Sequence, residues 1–148
     1  MSMLETKLKH LGLELPAPAK SLGTYIPAMR VGDLIYTSGQ IPVKDGQMLC
    51  TGTVPSQVSV EDAKEAAKQC VLNGIAAAME MGVPRGVAKV VCFVASDAGF
   101  HDQPAVANGA SDLLVELFGE DGRHARSAVG VSALPAGVSV EIEFIFSV

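Results

Sequence analysis

The stretch Arg126–Phe146 reads RSAVGV, then SALPAG, then VSVEIEFIF. Its last segment alternates. Val138, Val140, Ile142, Phe144 and Phe146 fall on one face, and Ser139, Glu141, Glu143 and Ile145 on the other. That is the period of a strand with one buried face. Arg126–Val131 also reads as a strand, and Ser132–Gly137 holds Pro135 and Gly137, so the stretch predicts an antiparallel hairpin. If Val131 opposes Val138, Arg126 opposes Glu143 and Ala128 opposes Glu141. Directly opposed residues share a face, so this register gathers Arg126, Glu141 and Glu143 around small Ala128 and Gly130. A cross-strand ion pair on a solvated face is one reading. A pocket is the other, because small residues flank the arginine and turn formers lie nearby.

Working outward, Val87–Ala95 is apolar at both alternating positions and reads as a strand covered on both sides. A helix runs from about Pro104 to Phe118, with Val106, Ala110, Leu113, Leu114 and Leu117 on one face and Gly119 after it. A longer helix starts at a capping-box pattern, Ser59 with Asp62. Its apolar or small stripe runs through 63, 66, 67, 70, 71, 74, 77, 78 and 81, and Gly82 and Pro84 end it. Tyr25–Val31 and Leu34–Gly39 are strands around the two-residue turn Gly32-Asp33. In that register Ser38 opposes Pro27, with Tyr25 in diagonal reach. Residues 42–57 read as loop with a short strand near Gln47–Cys50. Leu4–Leu11 is a short helix ended by Gly12, followed by a Pro-containing linker over 15–20. The order helix, β, β, α, β, α, β, β predicts one α+β domain over residues 1–148.

Composition narrows the function. Hydrophobic residues make up 49% and charged residues 18% of the 148, against about 25% charged in an average domain, which excludes a disordered chain. No apolar run reaches the ~20 residues of a membrane helix, and Met1–His10 lacks a signal-peptide pattern. The 16 acidic and 11 basic residues give a net charge of −5. Tryptophan is absent and the basic residues do not cluster, so a nucleic-acid partner is disfavoured. Cys50, Cys70 and Cys92 form no CxxC pair. Their odd number predicts buried free thiols in a reducing cytoplasm rather than disulfides or a zinc site. The histidines, at 10, 101 and 124, match no metal or triad spacing. His124 carries more weight because it lies two positions before Arg126. No metal or cofactor is expected.

Three segments carry a resemblance. Tyr36-Thr37-Ser38-Gly39-Gln40-Ile41-Pro42 resembles an early signature of the RidA/YjgF family, also called the L-PSP endoribonuclease family. Ala125–Val129 with Leu134–Glu143 resembles its C-terminal signature, and Gly23-Thr24-Tyr25 the Gly-x-Tyr before its first strand. The resemblance implies a chorismate-mutase-like fold, a mixed sheet backed by two helices, here with an added N-terminal helix. It implies a homotrimer with a cleft at each subunit interface. It also implies cofactor-free hydrolysis of 2-enamines or 2-imines to 2-keto acids and ammonia. On that resemblance Arg126 grips the substrate carboxylate, Glu141 orients or activates water, and Ser38, Tyr25 and Asn108 line the cleft. Ala128 stands where many members have cysteine, leaving only its backbone carbonyl to hold a water. His124 stands where many have proline. The alternative is a non-catalytic trimer that binds small carboxylates or a partner protein through the same cleft. RNA cleavage fits poorly with the acidic charge and the lack of a histidine acid–base pair.

Overall fold

The computed structural model describes residues 1–18, 20 and 23–148. The linker expected over 15–20 includes residue 19, which lies outside the described residues. Helix α1 (Met3–His10) is capped by Ser2, whose side chain accepts from the Glu5 amide while the Glu5 carboxylate accepts from the Ser2 amide. That reciprocal pair satisfies two of the amides a helix start leaves open. Leu4 and Leu8 are buried, and α1 packs on the later helix α3 (Gln103–Phe118).

Strands β1 (Ala28–Val31) and β2 (Leu34–Thr37) pair as expected, Ala28 opposite Thr37 and Val31 opposite Leu34. The Ser38 amide donates to the Pro27 carbonyl at 2.8 Å, continuing that register. Tyr25 precedes β1 rather than lying in it. The loop region holds a two-residue hairpin, β3 (Val43–Lys44) and β4 (Gln47–Met48). Helix α2 (Val60–Met79) starts where the sequence indicates, the Ser59 hydroxyl accepting from the Asp62 amide at 3.1 Å. Its expected stripe is buried from Ala63 to Ala78, whereas Met81 lies beyond the helix and is exposed.

The main sheet has the order β1-β2-β7-β5-β6, with β5 (Gly86–Ala95), β6 (Ala125–Val131) and β7 (Val140–Ser147). This corrects the expected final hairpin. β6 and β7 are not neighbours. β5 lies between them, parallel to β6 and antiparallel to β7. Two physical reasons favour this order. The unit β5–α3–β6 is a parallel crossover, which lays α3 on the sheet. The connection Ser132–Gly137 is also long enough to step over one strand, since neighbouring strands lie about 4.8 Å apart. β5 pairs along both of its edges, whereas its apolar run had indicated only cover on both faces.

The corrected order separates residues that the hairpin register had joined. Val90 sits between Phe144 and Arg126, and Cys92 between Ile142 and Ala128. Those residues face α2 and α3, with Val90, Cys92, Ile142 and Phe144 buried. Val91 sits between Glu143 and Ser127, and Phe93 between Glu141 and Val129, on the opposite face. No helix covers that face among the described residues. There Val91 and Phe93 are half-buried, while Tyr36 and Val129 are exposed. The double burial expected of Val87–Ala95 is thus met on one face of the isolated chain.

Small residues let α2 and α3 approach. A Cβ on Gly109 would land on the Lys64 carbonyl oxygen and 3.0 Å from its carbonyl carbon. Backbone cannot rotate aside, so the helices would have to separate. Gly109→Ala is expected to lower stability by about 1–3 kcal/mol, the usual cost of overpacking. Chemical denaturation of the variant checks it.

Candidate active site in two halves

Arg126 lies on the helix-facing side of the edge strand β6. Its Nη1 donates to Asn108 Oδ1 at 2.8 Å and to Ser111 Oγ at 3.2 Å. Asn108 and Ser111 are three residues apart on α3 and so share a face. The crossover that places α3 over β6 therefore aims both at the guanidinium. Among the described residues Arg126 makes no ion pair; the salt bridges there join Lys68 to Glu65 and Arg123 to Glu120. Its planar fork is held by neutral groups, which leaves its charge for an anion.

His124 completes this half. Its Nδ1 lies 2.7 Å from the Gly122 carbonyl and its Nε2 lies 2.8 Å from Ser111 Oγ. A carbonyl only accepts, so Nδ1 carries the proton. In the neutral ring Nε2 then accepts from the Ser111 hydroxyl. Ser111, Val115, Arg123, His124 and Arg126 line an open depression of about 330 Å³. Ala128 follows along β6 with Cys92 beside it. Burial pushes the Cys92 thiol up to about 12, against the pull of Arg126, so it stays protonated and is no nucleophile.

Glu141 belongs to the other half, on the uncovered face. Its side chain lies over Gly39, where a Cβ would fall on Oε2 and 2.9 Å from Cδ. Glycine at that position makes room for the carboxylate. Burial, then the charge of Glu143, holds the Glu141 carboxyl above the usual glutamate range. Ser38, next to Gly39, donates its hydroxyl proton to the Ile26 carbonyl at 2.7 Å, beside exposed Tyr25. Gly39→Ala is expected to displace Glu141 while sparing Arg126. Anion binding at Arg126 should then persist, which calorimetry with a small carboxylate would register.

The structure brings Arg126 together with Asn108, and sets Glu141 beside the Ser38–Gly39 turn. It does not bring Arg126 and Glu141 together within one chain. Sequence reasoning missed Ser111, although its spacing of one helical turn from Asn108 could have revealed it. Among the described residues no three His, Cys, Asp or Glu side chains cluster to hold a metal ion. No helix there is long and apolar enough to cross a membrane.

Residues 5–147 match the family model described as "YjgF/chorismate mutase-like, putative endoribonuclease". The chain belongs to the YjgF family. Its mixed sheet with helices on one face is that family's α+β fold. Protein TCP17 of Trypanosoma cruzi is 39% identical over 141 residues, covering 92% of this chain and 88% of that protein. A 2-iminobutanoate/2-iminopropanoate deaminase of Dermatophagoides farinae is 32% identical, covering 90% of this chain and 92% of its own. A crystal structure from Agrobacterium tumefaciens, of unknown function, superposes with a TM-score of 0.87 at 42% identity, over 99% of this chain and 92% of that one. These YjgF relatives span nearly the whole sequence, so they bear on both halves of the site.

Proposed function

We propose that this YjgF protein hydrolyses 2-enamines or 2-imines to 2-keto acids and ammonia, in clefts formed between copies of a homotrimer. The observation that carries the reading is Arg126, whose guanidinium is fixed by Asn108 and Ser111 and makes no ion pair among the described residues. In this reading Arg126 takes the substrate carboxylate. The family relationship to a deaminase supports the reaction.

A protonated imine is already electrophilic. The protein must hold it, place a water about 3 Å from the carbon, and accept a proton. Glu141 suits the last task, because a carboxyl held above its ordinary range is the better base. Ser38 and Tyr25 would line the wall beside it, and the Ala128 carbonyl would hold a water. Arg126 and Glu141 occupy opposite faces of one sheet. Seating the open face of one copy against the β6 edge of the next would bring one chain's carboxylate to the other's guanidinium. It would also cover Tyr36 and Val129. The buried thiols suit a reducing compartment such as the cytoplasm.

Ammonia release from a freshly generated 2-imino acid tests the reaction. Keto-acid binding without ammonia release would favour the non-catalytic carboxylate binder. Light scattering is expected to return three times the chain mass of 15.3 kDa; a monomer would overturn the shared cleft.

A further inference from the structure

We infer that Ser111 and His124 form a proton-donating pair that an anion at Arg126 switches on. The inference rests on the carboxylate reading of Arg126 and deepens it. Ser111 Oγ has one proton and two acceptor sites. Arg126 Nη1 occupies one acceptor site, and in the neutral state the hydroxyl proton points at His124 Nε2. When His124 is protonated, Nε2–H becomes the donor and fills the second acceptor site. The Ser111 proton must then turn away from both neighbours, which frees it for an acceptor in the depression. The Gly122 carbonyl keeps the ring oriented in both states, because it accepts from Nδ1–H in each.

A ligand carboxylate supplies the switch. The charged groups lining the depression with His124 are Arg123 and Arg126, and α3 contributes only uncharged Ser111 and Val115. A carboxylate docking on Arg126 places negative charge beside the ring and favours the imidazolium. Binding and proton uptake are therefore linked. The ligand that gains most carries an acceptor or basic nitrogen next to its carboxylate, the 2-imino or 2-keto acid pattern.

In imine hydrolysis the pair serves the leaving group. Water adds to the imine carbon, the π electrons go to nitrogen, and the water proton goes to Glu141 of the neighbouring copy, which later releases it to solvent. The carbinolamine nitrogen then takes the Ser111 proton as His124 Nε2 returns one to Ser111 Oγ. The C–N bond breaks with its electron pair on nitrogen, the C=O forms, and the released hydroxyl proton leaves with ammonia as ammonium.

Calorimetry with pyruvate tests the inference without requiring turnover. It is run at a mildly alkaline pH in buffers of different ionisation enthalpy. Wild type is expected to take up a substantial fraction of a proton per pyruvate bound. His124→Asn keeps an amide donor for the Gly122 carbonyl but has no base, and is expected to bind pyruvate with no uptake. Ser111→Ala is expected to retain uptake and to bind several-fold more weakly. Absence of pyruvate binding in wild type overturns the carboxylate reading and this inference together. Binding without proton uptake overturns this inference alone, as does uptake that survives in His124→Asn.

Discussion

Arg126→Ala is expected to abolish measurable keto-acid binding while leaving the chain folded. The guanidinium is half-buried, held by Asn108 and Ser111, and lacks an ion-pair partner among the described residues. Losing one member of a desolvated charge pair costs about 2–5 kcal/mol, a roughly 30- to 5,000-fold loss of affinity. The fold should tolerate the change, because the side chain sits at a sheet edge and its partners reach water when it is gone. Arg126→Lys should recover little, since an ammonium cannot reproduce the fork that meets Asn108, Ser111 and a carboxylate at once. Calorimetry on both variants gives the answer; wild-type affinity in Arg126→Ala would remove the carboxylate role.

Glu141→Gln is expected to slow turnover by about 10²–10⁴-fold, the range for a positioned base, while keto-acid binding changes far less. Glu143→Gln should slow it much less, since Glu143 is exposed and it is the Glu141 carboxylate that lies over Gly39. Stability should move in the opposite sense to activity. The folded chain holds the Glu141 carboxyl above its ordinary value of 4.5, so it binds that proton more tightly than the unfolded chain does. Ionisation therefore costs stability: the cost is absent below the unfolded value and develops as pH rises through the folded one. Glu141→Gln removes it and should melt slightly higher than wild type at neutral pH. That advantage should shrink toward pH ~4, and it is small because the group is half exposed to solvent. Wild-type turnover in Glu141→Gln would take Glu141 out of the mechanism.

Much of the fold is legible in the chain because local signals agree with tertiary packing. Ser59 starts α2, Gly32-Asp33 sets the β1–β2 register, and the alternation from Val138 to Phe146 identifies the buried face of β7. Strand order is less local. Ser132–Gly137 permits both a hairpin and a step across one strand, and the parallel β5–α3–β6 crossover decides between them. A hairpin would pair Arg126 with Glu143, whereas the intervening β5 sets them on opposite faces. For the site, Arg126 and Glu141 stand out through their signatures, whereas Ser111 looks like any polar residue on a helix. Its contacts, with a histidine thirteen positions later and with Arg126, exist only through the β5–α3–β6 crossover.

The separation of Arg126 and Glu141 onto opposite faces has a consequence for populations of molecules. In the proposed assembly each chain lends its guanidinium to one cleft and its carboxylate to another, so one damaged copy affects whichever neighbour it serves. Two variants that are each inactive, Arg126→Ala and Glu141→Ala, carry complementary defects. Wherever an intact arginine meets an intact glutamate from a differently damaged neighbour, a working cleft reappears. A ring containing both kinds of chain has one such junction, so mixing two dead proteins by unfolding and reassembly restores activity to about a quarter of normal for equal, random mixing in a cyclic trimer. In that proposed assembly catalysis belongs to the contact between chains, and no single chain possesses it.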